Sequence, residues 1–203
     1  IRNLELIYSN NDNAITLSDV LDHTVSPMGG RLLKRWIVLP LKDAAPIKER
    51  LDIVEHLVGD PTSSESFNEH LSKIGDLERL ISKVAAARIS PREVVYLKHA
   101  LFALEPIKSL CDKSGNKALE KLGDQINLCK VVRDKIEAEI DDEAPVLVSK
   151  GNVIKKGVNT ELDDLRTIAF SGKDYLLQMQ ERLMQETGIA KLKIAFNNVF
   201  GYY

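Results

Sequence analysis

One stretch constrains the fold more than any other. From Glu161 to Thr187 the chain reads as a single long helix. Leu162, Leu165, Ala169, Gly172, Leu176, Met179 and Leu183 recur at alternating spacings of three and four. That rhythm is the seam of a helix packed against another helix. Thr160 is the expected N-cap, Glu161, Asp163 and Asp164 place acids in the first turn, and Gly188 closes the element. At 1.5 Å per residue the rod is roughly 40 Å long. A chain of 203 residues cannot cover such a rod on every side. It needs a partner helix, and no later segment can run back along it. The chain opens on Ile1 and stops within Phe200-Gly201-Tyr202-Tyr203, so the expectation is a piece of something longer.

Composition supports a helical globular body around this rod. Hydrophobic residues are 44% and charged residues 29%, whereas aromatics are only 5%. Leu, Ile, Lys and Glu dominate, which favours helices over a β-sandwich. The net charge of −2 excludes a polybasic arm but leaves room for a local basic patch. Cys111 and Cys129 are too few for a disulfide framework and lack metal-ligand spacing, which points to a reducing compartment. Both sit near apolar positions and read as packing residues. No apolar run approaches the roughly 18 residues of a membrane span.

Helix punctuation is frequent. Thr16 and Asp19 form a capping box before Leu17–Leu21, and Ser26-Pro27 opens a helix that Pro40 stops. Asp43 is the expected cap of a helix with an apolar stripe at Ile47, Leu51, Val54, Leu57 and Val58, ended by Gly59-Asp60-Pro61. Phe67, Leu71 and Ile74 mark a further short helix, and Gly75-Asp76 breaks and recaps the chain. Ser90-Pro91 with Glu93 is the strongest start signal. From it run Val94, Leu97, Leu101 and Leu104, and Pro106 should kink this helix or end it near Glu105. One or two more helices follow to Ile140. Residues 145–158 carry two β-prone runs flanking Lys150-Gly151-Asn152, which predicts a small hairpin. Residues 190–203 alternate apolar and polar side chains and read as the start of a β element. The expected class is mainly α: a multi-helix core, one long helix, and small β elements near 145–158 and 191–203.

Catalytic constellations are not recognisable. Phosphate-loop, dinucleotide, nucleophile-elbow and zinc-helix motifs do not occur. His23, His56, His70 and His99 are dispersed and read as solvent-facing or capping. Asp141-Asp142-Glu143 either binds a divalent cation or is a solvated loop. Two basic groups remain. Arg31, Lys34 and Arg35 share about one turn of helix, and either grip phosphate or an acidic partner or form a solvated face. Lys191 and Lys193 stand beside Asn197 and Asn198, with no acidic residue after Glu186. Such a β element at the tip of a rod could touch a polyanion without reading its sequence.

Several word-like stretches carry a resemblance. They are RNLEL (2–6), VLDHTVSPMGGRLLKRWIVLPL (20–41), KERLDIVEHL (48–57), GDLERLISKVAAARISPREV (75–94), NVIKKGVNTELDDLR (152–166) and ETGIAKLKIAFNNVFGYY (186–203). In this order and spacing the chain resembles the core, or lever, region of the MutS family of DNA mismatch-repair ATPases. The resemblance covers essentially all of it. It implies a parent protein that closes around double-stranded DNA with a second MutS-like subunit and uses ATP with Mg. That parent would be cytoplasmic, associating with the nucleoid when on DNA, with no membrane partner.

The implied division is a core and lever over 1–189, lacking its returning helix, and the opening of the clamp over 190–203. Lys191, Lys193 and Asn197 would then face the nucleic acid. Arg31, Lys34, Arg35 and the seam residues Leu165, Leu176, Met179 and Leu183 would face other domains or a partner. The family's F-x-E mismatch-reading motif and its Walker loop do not occur here, so no catalytic, cofactor or metal residue is expected in this chain. Two alternatives stay open: a stand-alone helical adaptor that binds a partner helix, and the core of a relative acting in recombination.

Overall fold

A 22-residue helix organises the molecule. In the computed structural model α6 spans Pro91–Asp112, begins at the Ser90–Glu93 capping box, and buries eight of its residues. The structure describes residues 4–11, 13–197, 199 and 201–203, without the side chains of Lys173 and Tyr202. Arg2, Asn3, Asn198 and Phe200, quoted above within motifs, lie outside the described residues. The chain divides into two units, Ile1–Ile154 and Lys155–Tyr203.

In the first unit, α1 (Leu17–Leu21), α2 (Pro27–Val38), α3 (Ala44–Gly59), α4 (Pro61–Ser72) and α5 (Leu77–Ala85) precede α6. Helices α7 (Lys117–Gln125) and α8 (Lys130–Glu139) follow it. Local capping explains most of these starts. Thr16, Ser26, Asp60, Asp76 and Asn116 each accept a backbone N–H of the first turn. Asp43, the expected cap of α3, makes no capping hydrogen bond through its side chain. Pro61 does double duty: it ends α3 and occupies the first position of α4, where its missing N–H costs nothing.

The core joins α6 to α4 and α7. Ala100, Ala103, Ile107 and Cys111 lie on one row of α6 and pack with Phe67, Ile74 and Leu119. Met28, Ile53, Leu57 and Leu71 close the cluster from the flanks. Of the large aliphatics expected from the sequence, Leu97 and Leu101 are buried, but the row is not the whole of the inward face. Val94 and Leu104 are only half-buried, while two alanines and a cysteine are inside. Small residues let the neighbouring helices approach. At Gly123 of α7 an added Cβ would lie 2.6 Å from Asp112 Oδ1 and 2.9 Å from the Cys111 Cβ.

Three expectations are corrected here. Of the two outcomes expected at Pro106, an end near Glu105 is overturned, since the helix continues to Asp112. The roughly 3 kcal/mol cost of an interior proline is offset by burial of Ile107 and Cys111 beyond it. The hairpin at 145–158 is absent. Val148–Lys150 forms a 3-10 turn, and Ile154 pairs instead with Ile140. The Asp141 N–H to Val153 carbonyl bond, 2.9 Å, belongs to the same bridge. With Val146, Leu147 and Val148 all exposed, the two β-prone runs have no shared apolar face to hold them together. Cys129, expected to pack, is exposed, whereas Cys111 is buried.

The second unit holds α9 (Thr160–Thr187) and a two-stranded antiparallel sheet, β1 (Phe196–Asn197) and β2 (Gly201–Tyr202). The helix has 28 residues, about 42 Å at the standard rise. Its N-cap is Asn159 rather than Thr160: Asn159 accepts from the Leu162 N–H. Gly188 ends it at φ +69°, a left-handed conformation that glycine adopts without penalty. The mainly α architecture expected from composition and punctuation is what the chain adopts.

Candidate nucleic-acid and interdomain surfaces

The sheet at the C-terminal end of the second unit is small and polar. Phe196 faces Tyr202 and Asn197 faces Gly201 across it. Ala195 and Tyr203 exchange both backbone hydrogen bonds at 2.9 Å. Lys191 and Lys193 lead into β1, are exposed, and form no ion pair among the described residues. They are therefore available to an anion. Asn197 has a second occupation: its side-chain oxygen accepts the Val199 N–H at 2.7 Å, which shapes the turn between the strands. Only its amide donor remains for a ligand.

Helix α9 lies in this unit without a second helix. Its seam is uneven. Leu165 is exposed, whereas Leu176, Met179 and Leu183 are half-buried. Apolar exposure also extends off the seam, to Ile168, Phe170, Tyr175 and Leu177. At its base, Asp163 accepts the Gly157 N–H at 2.6 Å and pairs with Arg166 at 3.0 Å. The Gly157 amide, helped by Arg166, holds the Asp163 carboxyl below its ordinary value. This fastens the turn before the helix to its first coil.

The basic turn of α2 is divided. Arg31 donates to both Asp76 oxygens, at 2.7 and 3.0 Å, and to Glu78 at 2.5 Å. Those hydrogen bonds hold Asp76 down at about 2 and push Arg31 up. Asp76 is also the N-cap of α5, so Arg31 clips α2 to the start of α5. Arg31 is thus committed within the chain, while Lys34 and Arg35 are exposed and form no ion pair among the described residues. Nearby, Arg50 stacks on Trp36 at 3.5 Å, a cation–π contact between α3 and α2.

Two buried cations escape sequence reasoning. Lys98 is 2% exposed and pairs with Asp142 and with Glu137, the latter at 2.6 Å. Burial would lower its pKa, but the two carboxylates outweigh burial and raise it. The acidic triplet 141–143 therefore receives a lysine, and among the described residues no group of carboxylates, histidines or cysteines is placed to hold a metal. Arg133 bonds Asp134 at 2.8 Å and Glu105 at 3.1 Å and stacks on Phe102 at 4.5 Å. The pairs Lys98–Glu137 and Arg133–Glu105 carry no spacing signal, because they form only where α6 and α8 pack. Among the described residues no helix is long and apolar enough to cross a membrane.

Comparison with known proteins matches the stretches named above. The family model for MutS domain III covers residues 1–197. The DNA mismatch repair protein MutS of Parabacteroides distasonis is 57% identical over the whole of this chain and 23% of its own length. That of Phocaeicola vulgatus is 58% identical over the same shares, and that of Flavobacterium johnsoniae 53%. The chain spans about a quarter of the length of these relatives. By its matched residues and its mainly helical architecture, the chain belongs to the MutS domain III family.

Proposed function

We propose that this chain is the core and lever of a DNA mismatch-repair protein and is itself non-catalytic. Residues 1–189 form the core and lever, and 190–203 open the clamp. The observation that carries this reading is the end-to-end match to proteins named DNA mismatch repair protein MutS. The uninterrupted 28-residue α9 supports it, since a rigid element moves as a unit and can couple distant sites. In this reading ATP and Mg bind elsewhere in the parent protein, a second MutS-like subunit completes it, and it works in the cytoplasm on nucleoid DNA. Lys191 and Lys193, with the Asn197 amide, contact phosphate oxygens of the duplex. The seam of α9 receives a returning helix.

Two measurements test it. In the full-length protein, Ala169→Pro should interrupt α9. Mismatched duplex should still bind within a few fold, while ATP-triggered release of that duplex is lost. Unchanged release would remove the transmitting role. The chain by itself should bind matched and mismatched duplexes equally and weakly, with a shallow salt dependence of about 0.9 log units per phosphate neutralised. A tenfold mismatch preference, about 1.4 kcal/mol, or saturable ATP binding by calorimetry, would overturn the assignment of both activities to other parts of the parent.

A further inference from the structure

Two clefts on the α5–α6 side of the first unit have no part in the proposed mechanism. One, of about 470 Å³, runs from the end of α4 past the start of α5 to α6. The other, of about 780 Å³, surrounds the turn from α5 into α6 and is bounded by residues 146–148. Both are lined by Glu93 and Tyr96, so they adjoin along the first turns of α6 and together are called the α5–α6 groove.

The charges of this groove do not balance. Its acids, Asp76 and Glu93, are already satisfied. Arg31 holds Asp76 from outside the groove. Lys83 holds Glu93, which also accepts the Ser90 N–H and hydroxyl at 3.0 Å. Among the basic side chains, Lys73 and Lys83 are paired, with Glu69 and Glu93, and the arginines are not matched in the same way. Arg79 and Arg88 are exposed and form no ion pair among the described residues, although Arg79 lies near enough to Asp76 to help lower its pKa. Arg92 donates its Nε to the Ala144 carbonyl at 3.3 Å, a bond that leaves its charge without an acid. Three guanidinium groups thus remain over an internally neutralised floor.

The groove is apolar as well. Tyr96 is 54% exposed, and Val146, Leu147 and Val148 are exposed in succession. From α5 and the turn that follows it, Leu80 and Ile89 add to the same lining, both half-buried. A phosphate backbone would satisfy the arginines and leave this apolar strip wet. A peptide with carboxylates and aliphatic side chains satisfies both. We propose that the groove docks an acidic segment of a partner protein, with apolar side chains between its carboxylates. This proposal is independent of the transmitting role argued above.

The test uses the chain and the full-length protein with three fluorescein-labelled dodecapeptides and a 20-base-pair duplex. The first peptide repeats Glu-Leu-Asp, the second replaces its acids with Lys, and the third replaces Leu with Ser. Saturable binding of the first alone is expected. Arg79→Glu with Arg88→Glu should weaken it at least tenfold, and Tyr96→Ala about fivefold, with unchanged circular dichroism. Absence of saturable binding overturns the proposal, as does equal binding of the Ser peptide, which would reduce the site to bare charge. Displacement of the peptide by duplex, with the same loss in the arginine variant, would make the groove a nucleic-acid surface. Binding to the chain but not to the full-length protein would mean that another segment of the same polypeptide fills it.

Discussion

Helices α6 and α9 are the two longest in the molecule and treat their side chains in opposite ways. Helix α6 buries eight residues, a lysine among them. Helix α9 is longer, yet none of its described side chains is buried. Length therefore says little about what stabilises a helix. Helix α6 is held by helices packed around it, whereas α9 depends within its unit on caps, propensity and i,i+4 pairs such as Arg182–Glu186. A buried helix is tuned to its neighbours at the scale of a single methyl group. A helix with none of its described side chains buried keeps an apolar seam that contributes little to its own unit.

The largest test of this contrast pairs one truncation in each helix. Ile107→Ala, in the α6 core row, should cost about 2–5 kcal/mol in urea denaturation. Leu165→Ala on α9 should stay within about 0.5 kcal/mol. Similar losses at both sites would erase the distinction between packed helix and unpartnered rod.

A second pair uses glycines. Gly172 of α9 has nothing within 4 Å of an added Cβ, so Gly172→Ala should stabilise the helix by up to about 1 kcal/mol. The same propensity gain is available at Gly123, but there the new methyl meets Asp112 and Cys111 at under 3.0 Å. Overpacking between α6 and α7 should win, with a net loss of about 1–3 kcal/mol. Thermal melts of the two variants should move in opposite directions. A shared direction would show that the α6–α7 contact yields easily.

The smallest effect is electrostatic. Lys83 hydrogen-bonds the Glu93 carboxylate, which the Ser90 N–H also reaches, and holds it at about 2, below its ordinary 4.5. Arg31 holds Asp76 at about 2, below 3.8. Carboxyls depressed in the fold contribute stability above their ordinary values and lose it as pH falls toward the depressed ones. The first unit should therefore weaken between about pH 4.5 and pH 2. Glu93→Gln should lie below the parent chain in melting temperature at pH 7, with the gap closing near pH 2. A gap independent of pH would assign the role of Glu93 to packing instead.

Much of this molecule is local, and most of what is local was legible in the sequence, the caps at Asn116 and Asn159 excepted. The boxes at Thr16 and Ser90, the caps at Ser26 and Asp76, the length of α9 and its closure at Gly188 all depend on residues within about four positions. So did the motifs that place the chain in its family. Tertiary structure decided the rest. Arg31 looked available for phosphate until Asp76, 45 residues away, took its guanidinium. The acidic triplet looked open to a cation until Lys98, 44 residues away, filled it. Where α4 and α7 could approach α6 decided that Ala100, Ala103 and Cys111 are buried beside Leu97, Leu101 and Ile107, while Val94 and Leu104 stay half-buried. Residues 145–158 had β propensity but no partner strand, and Ile154 paired with Ile140 instead. Capping and periodicity are written over short separations, where backbone geometry fixes which groups can meet. Burial, ion pairing and the charge left over in the α5–α6 groove are settled only when distant segments are brought together.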